Sequence, residues 1–239
     1  MRNGKRILAV VPARGGSKGL PGKNLKPLRG TPLVTLAGQV AAQAASIDRA
    51  VVSTDDDAIA AAAEQGGLAA PFRRPEALSG DRIGDIDVLQ HALTATEALD
   101  GVTYDIVVML QPTSPLRRVE DVEGCIAKLI DGRWDAVWTV SETDSKAHPL
   151  KQLTLGEGDA LGYYDPDGGK IIARQQLRPL FHRNGVAYAI TRQCLMEQGT
   201  IKGARTAGLL LDGPHVSIDT EWDLRLVEFV LDHRDQDGA

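Results

Sequence analysis

Cysteine is nearly absent from this sequence: Cys125 and Cys194 are the two in 239 residues. Neither sits in a C-x-x-C pair or near histidines at metal-ligand spacing, so neither a zinc cluster nor a disulfide-stapled scaffold can be built on them. Two isolated thiols in a chain this long fit a reducing compartment and buried side chains. Long apolar runs are missing too. The run from Ile7 ends at Pro12, too short for a signal-peptide core, and no stretch approaches the roughly 20 residues of a membrane span. The expectation is a cytoplasmic protein with no membrane contact. An excess of positive charge is also absent. The net charge of −5 gives no reason to expect nucleic acid as a partner. His91, His182 and His215 stand alone without ligand spacing and carry no assigned chemistry. There is no internal repeat, no low-complexity tract and no G-x-G-x-x-G pattern.

What is present is alternation. Ile7–Val11, Ala50–Thr54 and Ile106–Leu110 are short and rich in Val and Ile, as buried parallel strands are. Between them apolar residues recur at helical spacing. Leu33, Leu36, Ala37, Val40, Ala41 and Ala44 form one such face; Ile59, Ala62 and Ala63 follow an expected Asp57 cap; Ile86, Leu89 and Leu93 follow an expected Asp85 cap. Val119, Val122, Ile126, Leu129 and Ile130 predict a further helix before a strand at Ala136–Val140. Strand and helix in alternation predict an α/β fold: a three-layer, doubly wound, mostly parallel sheet. After Thr143 the helical period fades, and "YYDPDGG" at Tyr163–Gly169 marks a turn between extended segments. Residues 145–183 therefore read as a small, partly antiparallel excursion inserted in a single domain spanning 1–239. The α/β pattern returns at Val186–Ile190, a last strand is expected at Val216–Asp219, and a closing helix carries Leu224, Val227, Phe229 and Leu231.

The first strand runs into a loop that gathers Arg14, Lys18, Lys23 and Lys26 among Gly15, Gly16, Gly19 and Gly22. Glycines let backbone N–H groups approach an anion, and the cations neutralise it; phosphate is the natural occupant. Ligands of doubly wound sheets sit at the carboxyl ends of strands, where this loop begins. The P-loop is the disfavoured alternative: Ser17 stands where the first glycine should, Asn24 lacks the Mg²⁺-holding hydroxyl, and Pro21 removes an N–H from the cradle. "LQPTSPLR" at Leu110–Arg117 places Gln111 and Thr113 at the carboxyl end of another strand. Both can hydrogen-bond sugar hydroxyls and base edges without charge, on a loop stiffened by Pro112 and Pro115; the plainer alternative is a rigid turn.

"VPARGGSKGLPGKNL" resembles the signature of the CMP-sialic acid synthetases, the acylneuraminate cytidylyltransferases. "VSTDD" (Val52–Asp56), "RRPEALSGD" (Arg73–Asp81), "LQPTSPLR", "HPLK" (His148–Lys151), "ARQQL" (Ala173–Leu177), "NGVAY" (Asn184–Tyr188) and "SIDTEWDL" (Ser217–Leu224) follow in the family's order. The resemblance implies a Rossmann-like nucleotidyltransferase that transfers CMP from CTP to the anomeric hydroxyl of a nonulosonic, sialic acid-like 2-keto sugar acid and releases pyrophosphate. It implies Arg14, Ser17, Lys18, Lys23 and Asn24 on CTP, with Arg74 and Gln111 near the nucleotide. Arg14, Lys23 and Asp219 would serve catalysis, and Asp219 would hold Mg²⁺. Gln111, Thr113, Asn184 and Tyr188 would line the sugar site. Lys151 and Arg174, from the neighbouring subunit of a homodimer with shared sites, would meet the sugar carboxylate. Plainer alternatives stand beside these: a surface cation for Arg74, core packing for Tyr188, a helix cap for Asp219.

Three departures qualify the resemblance. The family's paired acids, Asp-x-Asp, are Ser217 and Asp219 here. A small hydroxyl residue common in relatives is Gly84. The segment Gly199–Ala204, "GTIKGA", lacks the aromatics that often meet the sugar's acyl group. The nucleotide half matches while the sugar half has changed, so legionaminic, pseudaminic or another nonulosonic acid is as plausible as N-acetylneuraminate. Two alternatives remain at this point: a nucleotidyltransferase for another sugar, such as Kdo or a sugar phosphate, or a non-catalytic nucleotide-binding relative.

Overall fold

The computed structural model describes residues 2–237. The elements run β1 (Ile7–Pro12), the short hairpin β2 (Pro27–Leu28) and β3 (Thr31–Pro32), α1 (Leu33–Gln43), β4 (Arg49–Ser53), α2 (Asp57–Gln65), α3 (Asp85–Asp100), β5 (Ile106–Met109), α4 (Val119–Asp131), β6 (Ala136–Glu142), β7 (Leu153–Leu155), β8 (Leu161–Tyr163), β9 (Phe181–Thr191), α5 (Arg192–Met196), β10 (Thr206–Leu210) and α6 (Glu221–Asp237). Six strands form one mostly parallel sheet in the order β10-β6-β9-β5-β1-β4. β1 lies parallel to β4 and to β5, and β9 joins β5 antiparallel.

The period-two alternation of β1 explains the layers. Ile7, Ala9 and Val11 face α1, α2 and α4, where they meet Val34, Ala37, Ile59, Ala63, Val122 and Ile126. Leu8 and Val10 face the other way and pack with Leu89 and Leu93 of α3 and Leu195 of α5. A strand buried on both faces must be apolar throughout, as β1 is. Each fully buried Leu or Ile contributes about 1.5–3 kcal/mol. A third cluster, Leu20, Leu28, Leu33, Leu116, Ile218, Leu224 and Val227, fastens α6 to the loop after β1.

The structure corrects three local expectations. Val216–Asp219 is not a strand. Its N–H groups go elsewhere: Ile218 N donates to Thr113 O at 2.8 Å, and Asp219 N to the Asp223 carboxylate at 3.0 Å. The last strand is β10. Asp56, not Asp57, caps α2, accepting from Ile59 N at 3.0 Å. α3 starts at Asp85 behind Gly84, which has no side chain with which to cap; relative to a hydroxyl cap this costs only a few tenths of a kcal/mol.

The chain divides into two compact units, Val140–Arg183 and the remainder. Within the smaller one, β7 and β8 form an antiparallel hairpin with Leu153 opposite Tyr163 and Leu155 opposite Leu161. Apart from the end of β6 and the start of β9, the regular structure in the rest of this unit is short 3₁₀ turns, consistent with the fading of helical period. Leu153, Leu155, Leu161, Tyr163 and Ile172 are all exposed. Among the described residues no helix is long and apolar enough to cross a membrane.

Both thiols are fully buried. Burial pushes the Cys125 thiol up to about 12 and raises Cys194 as well. The thiolate is the reactive form, so an aromatic disulfide reagent at pH 8 should label neither cysteine in the native protein and both after unfolding. Fast labelling of the folded protein would contradict this burial.

Candidate functional site

A cavity of about 540 Å³ opens where β1 and β5 end. Its walls bring together Arg14, Ser17, Lys18, Lys23, Asn24, Arg74, Gln111, Thr113 and Asp219, along with Ser217. Parallel strands β1 and β5 finish on the same side of the sheet, so residues nearly 100 positions apart in sequence meet there.

The loop after β1 is shaped by its own polar groups. Gly15 N donates to Asp55 Oδ1 at 2.9 Å. Gly22 has φ 65°, a left-handed conformation that glycine adopts without steric penalty, and it turns the chain into the 3₁₀ turn Lys23–Leu25. Asn24 is buried, and its Nδ2 donates to Arg14 O at 2.9 Å. The structure therefore gives the Asn24 amide a bracing role in the loop.

The three cations of the loop after β1 that line the cavity each have an acidic counterpart. Lys23 Nζ lies 2.8 Å from Asp219 Oδ1. Arg14 Nη1 lies 2.6 Å from Asp81 Oδ1, and Lys18 pairs with the other Asp81 oxygen. Hydrogen bonds from Lys18 and Arg14 hold the Asp81 carboxyl below its usual range. Its ion pairs are therefore complete above the ordinary Asp value of about 4 and are lost only as pH falls through the lowered one. Asp81 was missed as a site residue by sequence reasoning, although it closes the motif "RRPEALSGD". The available signal was an acid outside any helix face or cap.

Arg74 is buried, not a surface cation. Its Nε donates to Ser53 Oγ at 3.0 Å and its Nη2 to Ser53 O. Burial lowers its pKa, opposed by Asp55 and assisted by Arg14. Asp219 does not cap α6. Thr220 and Asp223 exchange hydrogen bonds there, Asp223 N donating to Thr220 Oγ1 at 3.2 Å and Thr220 N to Asp223 Oδ2 at 2.8 Å. The Asp219 carboxylate is left free to face Lys23 and the cavity.

Asn184 and Tyr188 are not brought to the cavity walls. Tyr188 is 2% exposed, stacked at 5.2 Å on Trp138, and its hydroxyl accepts from Gly185 N at 3.1 Å. Asn184 is buried, its Oδ1 accepting from Thr139 Oγ1 at 2.7 Å. Both face inward because β9 is covered on both faces. Arg174 lines a separate cavity of about 430 Å³ inside the smaller unit, beside the buried His148 and the exposed Arg178. Lys151 is exposed, on the last residue of a 3₁₀ turn, and does not join that lining.

A polar cleft with cations on a glycine-rich loop, flanked by neutral amide and hydroxyl groups, suits a phosphorylated ligand with a hydroxyl-rich partner. A family model described as cytidylyltransferase matches residues 8–205. The chain belongs to the cytidylyltransferase family. This cytidylyltransferase is 32% identical to the CMP-N,N'-diacetyllegionaminic acid synthase of Legionella pneumophila over 95% of its own length and 97% of the relative's. It is 28% identical to the pseudaminic acid cytidylyltransferase of Campylobacter jejuni, covering 93% of this chain and 95% of that one. Among solved structures, CMP:2-keto-3-deoxy-manno-octonic acid synthetase complexed with CTP shares the fold at a TM-score of 0.67 and 22% identity, covering 96% of this chain and 99% of that one.

Asp81 occupies cations that a polyphosphate would need, so the two anions compete. Asp81→Asn should tighten binding of inorganic tripolyphosphate several-fold in a calorimetric titration at low salt, because it removes a like charge from the site. Unchanged affinity would mean that the carboxylate swings aside without penalty.

Proposed function

We propose that this cytidylyltransferase transfers CMP from CTP to the anomeric hydroxyl of a nonulosonic acid and releases pyrophosphate. The observation that carries the reading is the convergence of Arg14, Lys18, Lys23 and Arg74 with Gln111 and Thr113 on one cavity. In this reaction the anomeric oxygen bonds to the α-phosphorus, the bond to the bridging oxygen of pyrophosphate breaks, and the hydroxyl proton is released. Such a transfer depends on positioning and charge neutralisation. Arg14, Lys18 and Lys23 bind the triphosphate and stabilise the charge that grows on the departing pyrophosphate. Arg74, fixed by Ser53, supplies a cation that does not have to be ordered on binding. Gln111 and Thr113 orient neutral groups of the nucleotide and the sugar. The names of the relatives in Legionella and Campylobacter support a nonulosonic acid as acceptor.

Mg²⁺ fits the donor set at one position. Asp219 presents an exposed carboxylate to the cavity, and Mg²⁺ is commonly held by one or two carboxylates with phosphate oxygens and waters. Among the described residues no group of three or more His, Cys, Asp or Glu forms a cage. Asp219 would hold the ion, which when bound would neutralise phosphate charge as a Lewis acid. Ser217 Oγ lies 3.4 Å from Thr113 Oγ1, where it can hydrogen-bond but not replace an acid.

Pyrophosphate release from CTP with a panel of nonulosonic acids tests the reading. Arg14→Ala and Asp219→Asn should each lower kcat/KM about 100-fold or more, equivalent to about 2.7 kcal/mol, while Ser217→Asp should remain active. If the native protein turns over no acceptor and Ser217→Asp does, the chain is a nucleotide-binding relative that has lost catalysis.

The working form we propose is a homodimer whose sites are shared. Its support is the hairpin β7–β8, whose Leu155 and Leu161 are 68% and 72% exposed, more apolar surface than a small free-standing unit ordinarily leaves to water. In this reading Lys151 and Arg174 serve the partner's sugar carboxylate. Mixing inactive Lys23→Ala and Lys151→Ala subunits should restore part of the activity, since one of the two sites in a heterodimer is then intact. A fully active monomer by sedimentation would end the idea.

A further inference from the structure

β5 stops one residue before the Gln111 loop, and the way it stops leaves a neighbour incomplete. In the β5–β9 register, Met109 faces Tyr188 and Val108 faces Ala189. Continued by two residues, that register would set Gln111 opposite Val186. The ladder ends instead. The chain turns away at Gln111 and Pro112 to reach the cavity, so Gln111 and Val186 do not exchange the next pair of rungs. Val186 is wholly buried, and its carbonyl, which would have faced β5, must be satisfied by something else.

Arg117 does this. Its Nε donates to Val186 O, and its Nη2 donates to Gly185 O at 3.2 Å and to Gln111 O at 2.6 Å. One guanidinium thus ties the start of the loop to the strand from which it departs. The residue is 5% exposed, and its hydrogen bonds go to carbonyls; Asp121, the acid whose charge acts on it, is engaged by Arg118. Two further ties complete the frame. Ser114 Oγ donates to Asn184 O at 2.9 Å. Gly185, at φ 73°, lets the Gln111 amide lie against it: a Cβ there would stand 2.5 Å from Gln111 Oε1. The frame reaches the far wall as well, because Thr113 O accepts Ile218 N at 2.8 Å, next to Asp219.

We infer that Arg117 is a positioning residue for the reaction: its buried guanidinium replaces the missing rungs between β5 and β9 and thereby fixes Gln111 and Thr113, and through Ile218 the Asp219 carboxylate, at the cavity. A buried charge is costly unless its hydrogen bonds are made, and a planar fork can make all three at once. Lysine keeps the charge but carries one donor atom, so it cannot span Gln111 O and Val186 O in the same geometry.

This inference rests on the proposed reaction for its kinetic readout, and has a second readout that does not. In the full-length protein, Arg117→Lys should stay folded by circular dichroism, yet amide hydrogen exchange at 110–116 and 216–219 should quicken at least tenfold relative to β1. The kcat/KM for CTP-dependent pyrophosphate release should fall at least tenfold, with most of the loss in kcat. In an Arg117→Ala protein, added ethylguanidinium should recover activity and slow exchange where ethylammonium does not. If Arg117→Lys fails to fold, Ser114→Ala reads the same frame, with faster exchange at 110–116 and a several-fold loss of kcat/KM expected. Native-like exchange and kinetics in whichever of these variants folds would overturn the assignment, as would a loss confined to melting temperature. A native protein with no turnover but the expected exchange response would instead count against the proposed function alone.

Discussion

The architecture of the site follows from one constraint: four cations must be held together in a cavity before any anion arrives. Arg14, Lys18, Lys23 and Arg74 repel one another, and repulsion strengthens as water is excluded. The chain answers with acids from distant segments. Asp81 bridges Arg14 and Lys18, Asp219 meets Lys23, and Asp55 offsets the burial of Arg74. Ligand-free cations that are already paired lose less freedom on binding. The acids then become the groups an incoming polyphosphate must displace. Holding the loop after β1, the segment 79–85 and the stretch before α6 in register is therefore an electrostatic matter as much as a packing one.

The neutral half of the cavity rests on a different device. Gln111 and Thr113 have to leave the sheet at the end of β5 without stranding the acceptors of the next ladder pair, and Arg117 supplies the donors that the ladder no longer does. The two halves meet where Ile218 N reaches Thr113 O. That contact explains why Val216–Asp219 is irregular. Its backbone serves the loop opposite instead of a strand ladder, and this leaves Ser217 and Asp219 at the cavity.

Much of the fold was legible because its signals are local. β1, β4 and β5 are short, apolar and β-branched, and the helices α1, α2, α3 and α4 carry apolar faces at helical spacing. Those periodicities arise from the backbone geometry of each element and need no partner to be read. The errors also have local causes. "VSID" has the composition of a strand, but composition does not say where an N–H will find its acceptor. Asp56 and Asp57 are adjacent acids before one helix, and only the turn of the chain decides which of them caps it.

For the site, the sequence by itself determined the chemistry available: a glycine-rich cationic loop at a strand end, a proline-stiffened amide and hydroxyl loop, and an acid before the last helix. The tertiary structure decided which of those groups share a cavity. It buried Arg74 against Ser53, turned Tyr188 and Asn184 inward, and gave Asp81 two cations as partners. Arg117 shows the reason most plainly. It was visible in "LQPTSPLR", but its acceptors include backbone carbonyls 68 and 69 residues away, and carbonyls are common to every residue. A side chain's type is written in the sequence, whereas the identity of a backbone partner depends on which strands are neighbours and in what register.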